Sequence, residues 1–95
     1  MPLTKRQFEL RIDEEMEDWM RQVYYLLNNH RDLAYSSEEL GKAVLGKSWD
    51  FSAQEKFDRA LDALARIGAV ERREVHETAY YAFSVAFDTQ IWTPN

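Results

Sequence analysis

From Thr4 onward, apolar residues recur at helical steps: Phe8, Ile12, Met16, Trp19, Val23 and Leu26 follow one another four, four, three, four and three positions apart. This spacing sets them on one helix face, which Met20 and Leu27 widen. Thr4 with Gln7 has capping-box spacing, and no Gly or Pro intervenes before His30. The pattern predicts one helix over 5–29, roughly 40 Å long at about 1.5 Å per residue. A domain this small cannot bury such a helix along its whole length. Either its first turns project into water or, the sharper expectation, part of it pairs with a second copy. Ile12, Trp19 and Leu26 are seven apart, as are Met16, Val23 and His30, which is coiled-coil-like over two heptads. The expected homodimer interface is Ile12, Met16, Trp19 and Val23, joined by Trp92 from the tail.

Beyond Asp32 the pattern shortens. Leu33-Ala34-Tyr35 is read as a brief strand, and Ser36 with Glu39 forms a second capping box opening a helix through Leu40, Val44 and Leu45. Gly46 is its expected stop. A loop over 47–51 follows, with Trp49 and Phe51 expected to fold inward. Ser52 with Glu55 opens the next helix, striped by Phe57, Ala60, Leu61, Leu64 and Ile67 and stopped by Gly68. Then the period changes to two. Val70 to Val75 favours extended structure, and Tyr81, Phe83, Val85 and Phe87 alternate with smaller residues as in a half-buried strand. His76-Glu77-Thr78 is the polar turn between them. Residues 86–95 form a tail in which Ile91 and Trp92 lie against the first helix or a partner.

Composition sets the outer bounds. The chain has 95 residues, enough for a single core, and its 45% hydrophobic and 14% aromatic content excludes disorder. With no cysteine there are no disulfides, thiolate chemistry or Cys-based zinc sites. No apolar run approaches the roughly 20 residues of a membrane span, and the N-terminus lacks an apolar signal region. A soluble, cytoplasmic protein is expected. The formal net charge of −5 weighs against a chain that is basic overall, so any nucleic-acid footprint must be local.

Candidate chemistry is sparse. Residues 41–48, Gly-Lys-Ala-Val-Leu-Gly-Lys-Ser, match the phosphate-loop pattern GxxxxGKS letter for letter. In that motif backbone amides cradle phosphates, a Lys reaches the terminal phosphate and a Ser holds magnesium. Here the match lies at the end of a capped helix rather than after a strand, so no nucleotide is expected. The acidic run Asp13, Glu14, Glu15, Glu17 and Asp18 is read as a solvated helix face, with Arg11–Glu15 and Glu17–Arg21 as i,i+4 pairs. Consecutive acids on a helix diverge, so no metal site is expected there. His30 and His76 have no metal-ligand spacing, and no serine is paired with either. Neither an enzyme nor a cofactor is expected.

The order helix, brief strand, helix, loop, helix, two-stranded hairpin resembles the winged helix-turn-helix domain of small transcriptional regulators. The resemblance is carried by Ser36-Ser37-Glu38-Glu39-Leu40, which looks like the start of such a motif. Residues 61–70, LDALARIGAV, resemble a recognition helix running into a wing. Residues 71–75, ERREV, and 79–83, AYYAF, are similar to wing strands, and the likeness covers 33–85. It implies an α+β fold, mainly helical with a small hairpin, forming one domain over 1–95 with the long helix as its variable N-terminal element. It also implies a major-groove helix over 53–67 and a hairpin on the DNA backbone, with Lys56, Arg59, Arg66, Arg72 and Arg73 contacting double-stranded DNA. The function expected is that of a dimeric DNA-binding regulator. Glu55–Arg59 and Asp62–Arg66 are also i,i+4 pairs, and Glu71, Glu74 and Glu77 flank the wing arginines. A winged-helix module that binds a protein instead of DNA is the alternative expectation.

Overall fold

In the computed structural model, which describes residues 2–87 and 89–94, the first helical stripe is two helices rather than one. α1 spans Lys5–Leu10 and α2 spans Glu14–Asn29. Arg11 adopts a left-handed conformation (φ 61°), and its N–H closes α1 on the Gln7 and Phe8 carbonyls. Asp13 then caps α2, accepting the Met16 N–H at 2.8 Å. Glu14, Glu15 and Glu17 fill the first turn of α2, where the helix dipole favours negative charge. The acidic run is therefore a helix start, not the middle of a helix. The break swings α1 out of line, so that Ile12 turns into the core while Phe8 is 72% exposed.

β1 (Ala34–Ser36) leads directly into α3 (Ser37–Leu45), which Ser36 and Glu39 cap reciprocally. The Ser36 backbone and side chain hold the Glu39 carboxyl below its ordinary range. After a 3-10 turn over Gly46–Ser48, α4 runs from Phe51 to Arg66. Its cap is Asp50, which accepts the Ala53 N–H at 2.7 Å, two residues earlier than the expected Ser52. Phe51 thereby enters the first helical turn and points outward, 80% exposed, rather than inward. β2 (Val70–Val75) and β3 (Thr78–Phe83) form a hairpin. Its two-residue loop, His76-Glu77, has positive φ at both positions (52° and 69°), the signature of a type I′ turn. β3 ends at Phe83, so the expected alternation out to Phe87 stops short, and Val85 is exposed.

The sheet order is β1-β3-β2, antiparallel throughout, with Tyr35 opposite Tyr81 and Val70 opposite Phe83. The result is an α+β domain with four α-helices and a three-stranded sheet among the described residues. One core joins them: Met16, Met20, Val23 and Leu27 of α2 meet Phe57, Ala60, Leu61 and Leu64 of α4, with Leu40, Val70 and Tyr81 closing the sides. Trp19 packs on Phe57 at 5.8 Å between ring centroids.

The tail belongs to this core. Trp92 is 0% exposed, sits among Tyr24 and Phe87, and donates its indole N–H to Glu17 Oε2 at 3.0 Å. Ile12, Met16 and Val23 are buried in the same single chain, and Trp19 is half-buried on Phe57. The side chains expected at a dimer seam, Ile12, Met16, Trp19, Val23 and Trp92, all have packing partners within this one chain.

Candidate functional site

Among the surfaces this packing leaves uncovered are the outer side of α4 and most of the β2–β3 hairpin. α4 turns Phe57, Leu61 and Leu64 inward, so Ser52, Glu55, Asp58, Arg59, Asp62 and Arg66 face out. In the hairpin, Glu71 through Thr78 are all exposed. The five cations expected at a nucleic-acid surface lie here, but their local electrostatics differ.

Lys56 is the most committed. Its Nζ pairs with Asp13 Oδ2 at 2.9 Å and Glu15 Oε1 at 2.7 Å, and lies 5.6 Å from the Trp19 ring centre. Hydrogen bonding to Glu15 and then Asp13 holds the ammonium above its ordinary range. Burial pushes the Asp13 carboxyl up, but the Met16 N–H and the Lys56 ammonium outweigh it, leaving Asp13 below its ordinary range. Lys56 therefore fastens the start of α4 to the start of α2. It takes the carboxylate of Glu15 that the sequence pairs with Arg11, because the break at Arg11 puts those two on different helices.

The hairpin arginines are balanced by neighbours. Arg72 Nη2 lies 3.2 Å from Glu74 Oε1, and the Tyr81 side chain, then Glu74, hold its guanidinium above the ordinary range. Arg73 lies 3.9 Å from Glu71, with its side chain mostly in solvent. Exposed pairs of this kind are weak and screened by solvent, so a stronger anion could displace the glutamates.

Arg59 and Arg66 behave differently. Arg66 Nε donates to Asp62 Oδ2 at 3.1 Å, as the i,i+4 spacing predicts, and its Nη2 donates to the Leu10 carbonyl at 3.0 Å. Arg59 has no ion pair among the described residues, so the expected Glu55–Arg59 pair is not formed. It stands between two clefts. One, about 450 Å³, is lined by Glu15, Trp19, Asp50, Glu55 and Lys56 among others. The other, about 240 Å³, is lined by Arg11, Asp62 and Arg66 with Arg59 itself. Arg11 reaches this surface only because α1 ends beside the last turns of α4. No helix periodicity through 5–29 points to it.

The GxxxxGKS segment is helical where a phosphate loop is open. Gly41 through Leu45 lie inside α3, and the Gly46 N–H bonds back to the Lys42 carbonyl. Those amides are used within the helix. Gly41 is there for packing: a Cβ would collide with the Gln54 side-chain amide. That amide accepts from the Trp49 indole N–H at 2.6 Å and donates to the Ser37 carbonyl at 3.1 Å and to Asp58 at 2.8 Å. Lys42 lies over the Trp49 ring, 4.8 Å from its centre.

Among the described residues no group of His, Asp and Glu is placed to hold a metal ion, and no helix is long and apolar enough to cross a membrane. No protein-family model, curated protein or solved structure matches the chain.

Proposed function

We propose that this chain is a winged helix-turn-helix domain that binds double-stranded DNA, with α4 as the helix entering the major groove and the β2–β3 hairpin as the wing. The observation that carries this reading is the joint exposure of the outer α4 face and of Glu71 to Thr78 in the hairpin, with the inner face of α4 held in the core. The element order supports it: β1 lies between α2 and α3 and pairs with the second hairpin strand. Arg59 and Arg66 are the cations on α4 best placed for phosphate or base contacts. Arg72 and Arg73 serve the same end from the wing once their glutamates are displaced. Lys56 acts as a strut under α4 and contributes little to DNA contact. Phosphate contacts dominate such affinities, so binding falls steeply with salt.

A second reading, a winged-helix module with a protein partner, is favoured by two specific features. The cations at Lys56, Arg72 and Arg73 already sit beside carboxylates, while Phe51 opens α4 with an exposed ring.

Fluorescence anisotropy with a labelled mixed-sequence duplex, read from low to moderate salt, separates the two. The DNA reading expects binding at low salt, with a slope that flattens in Arg59→Ala with Arg72→Ala. No binding at low salt would sink it in favour of the protein module.

A further inference from the structure

The cleft between the end of α1 and the C-terminal half of α4 gathers three guanidinium groups, from Arg11, Arg59 and Arg66, around one carboxylate, Asp62. Arg59, Asp62 and Arg66 share a face of α4 at positions i, i+3 and i+7. Arg66 is already fixed in place by Asp62 Oδ2 at 3.1 Å and the Leu10 carbonyl at 3.0 Å. The second of these bonds brings the end of α1 against α4 and sets Arg11, the next residue, on the cleft wall. Neither Arg11 nor Arg59 has an ion pair among the described residues. In a chain of net charge −5, this cleft holds positive charge in excess and unmet donors on separate walls.

We propose that this cleft is a binding site for a phosphoryl oxyanion, clasped by Arg11, Arg59 and Arg66. Guanidinium forks match carboxylate and phosphate alike. A carboxylate, however, offers two oxygens in one plane, which one or two forks satisfy. A phosphoryl group offers oxygens in three directions, matching donors from two elements of the chain. The volume, about 240 Å³, exceeds what a bare oxyanion needs and leaves room for an ester substituent. Asp62 is the opposing charge. It holds Arg66 by Nε while the Leu10 carbonyl takes one Nη2–H, which leaves Nη1 and the second Nη2–H for the anion. The site does not depend on the DNA reading: a DNA backbone and a phosphorylated small molecule both supply such a phosphoryl group, and the test below separates them.

The test is a titration of the intact chain with inorganic phosphate at constant ionic strength, followed by NMR at the arginine Nε–H signals. Saturable shifts confined to Arg11, Arg59 and Arg66 are expected. Arg11→Gln and Arg59→Gln should each weaken binding about tenfold, since each removes a charge-assisted contact. Arg6→Gln, on α1 but off the cleft, should change nothing. Both cleft arginines are exposed, so these variants keep the fold. No saturable shift, or shifts spread equally over Arg6, Arg31 and Arg72, overturns the site. A parallel arm with a mixed-sequence duplex identifies the source. If Arg11→Gln lowers the salt slope by about 1, the phosphate is that of DNA. If phosphate saturates the cleft while the duplex does not bind, the site stands and the DNA reading falls. If the duplex binds while free phosphate shifts nothing and Arg11→Gln is neutral, the reverse holds.

Discussion

Replacing Glu17 should loosen both ends of the chain at once, because its carboxylate holds them together. Oε2 accepts the Trp92 indole N–H at 3.0 Å. Oε1 accepts the Gln7 side-chain amide at 3.3 Å and lies 3.3 Å from Arg21 Nη2. Trp92 is fully buried and the Glu17 side chain is 14% exposed, so the indole bond is charge-assisted and nearly dry. Such a bond contributes about 1.5–3 kcal/mol. The longer Gln7 bond adds about 0.5–1.5 kcal/mol, and the partly exposed Arg21 pair adds roughly 0–1 kcal/mol. Glu17→Ala should then cost about 3 kcal/mol in all, a large share of the roughly 5–15 kcal/mol typical of a domain. At about 4–8 °C per kcal/mol for a domain of this size, Tm should fall by roughly 12–24 °C. Urea unfolding followed by far-UV circular dichroism is the assay, since fluorescence would report the lost tryptophan. Trp92→Phe removes the donor while keeping most of the ring. The double variant should fall short of additivity by about 1.5–3 kcal/mol. Additivity within about 0.5 kcal/mol would refute the hub, because uncoupled sites behave that way.

Three other outcomes follow from local geometry. Asp13 has a folded pKa below its ordinary 3.8, so its contribution is complete above that value and lost as pH falls through the folded pKa. The stability gap between the parent chain and Asp13→Asn, measured by urea unfolding, should thus be open at neutral pH and close in acid. A gap that widens in acid contradicts the assignment. Gly41→Ala should destabilise by about 1–3 kcal/mol despite alanine's better helix propensity, since the new methyl displaces Gln54 from its hydrogen bonds. A neutral or stabilised variant in thermal melts would argue against that packing role. Glu77→Gly should raise stability by roughly 1 kcal/mol, because glycine adopts φ 69° without a Cβ clash. A lower Tm would mean the Glu77 side chain holds the hairpin tip.

The elements most legible in the sequence were those with two independent signals. The reciprocal pairs Thr4–Gln7 and Ser36–Glu39 cap helices as their spacing implies. The stripe Phe57, Ala60, Leu61 and Leu64 is the buried face of α4, and Val70–Val75 is a strand. The break at Arg11 was hidden because Ile12 continues the helical spacing, and a left-handed arginine leaves no Gly or Pro as a marker. Its one signal was Asp13, a good cap masked by the acids that follow. The start of α4 was displaced for a similar reason: Asp50 and Ser52 both suit the cap, and only Asp50 takes it. The heptad-like spacing of Met16 and Val23 marks a core face equally well, and nothing local distinguishes burial within one chain from burial between two. The cleft depends on Arg11 meeting Arg66 across 55 positions, a proximity created by the tertiary fold and carried by no motif.

The bond between Trp92 and Glu17 has a dynamic consequence. α1 has 6 residues, too short to hold helical structure in isolation, so its order depends on what it docks against. Among its described residues the tail has no helix or strand, and it depends on the same region of α2. Both meet at the Glu17 carboxylate. Separated by most of the sequence, they form one cooperative unit: release of Trp92 removes the support of Gln7, and fraying of α1 exposes the indole's acceptor. Amide hydrogens in α1 and around Trp92 should exchange at a common opening free energy, below that of the α2–α4 core, so the two ends of the chain breathe together.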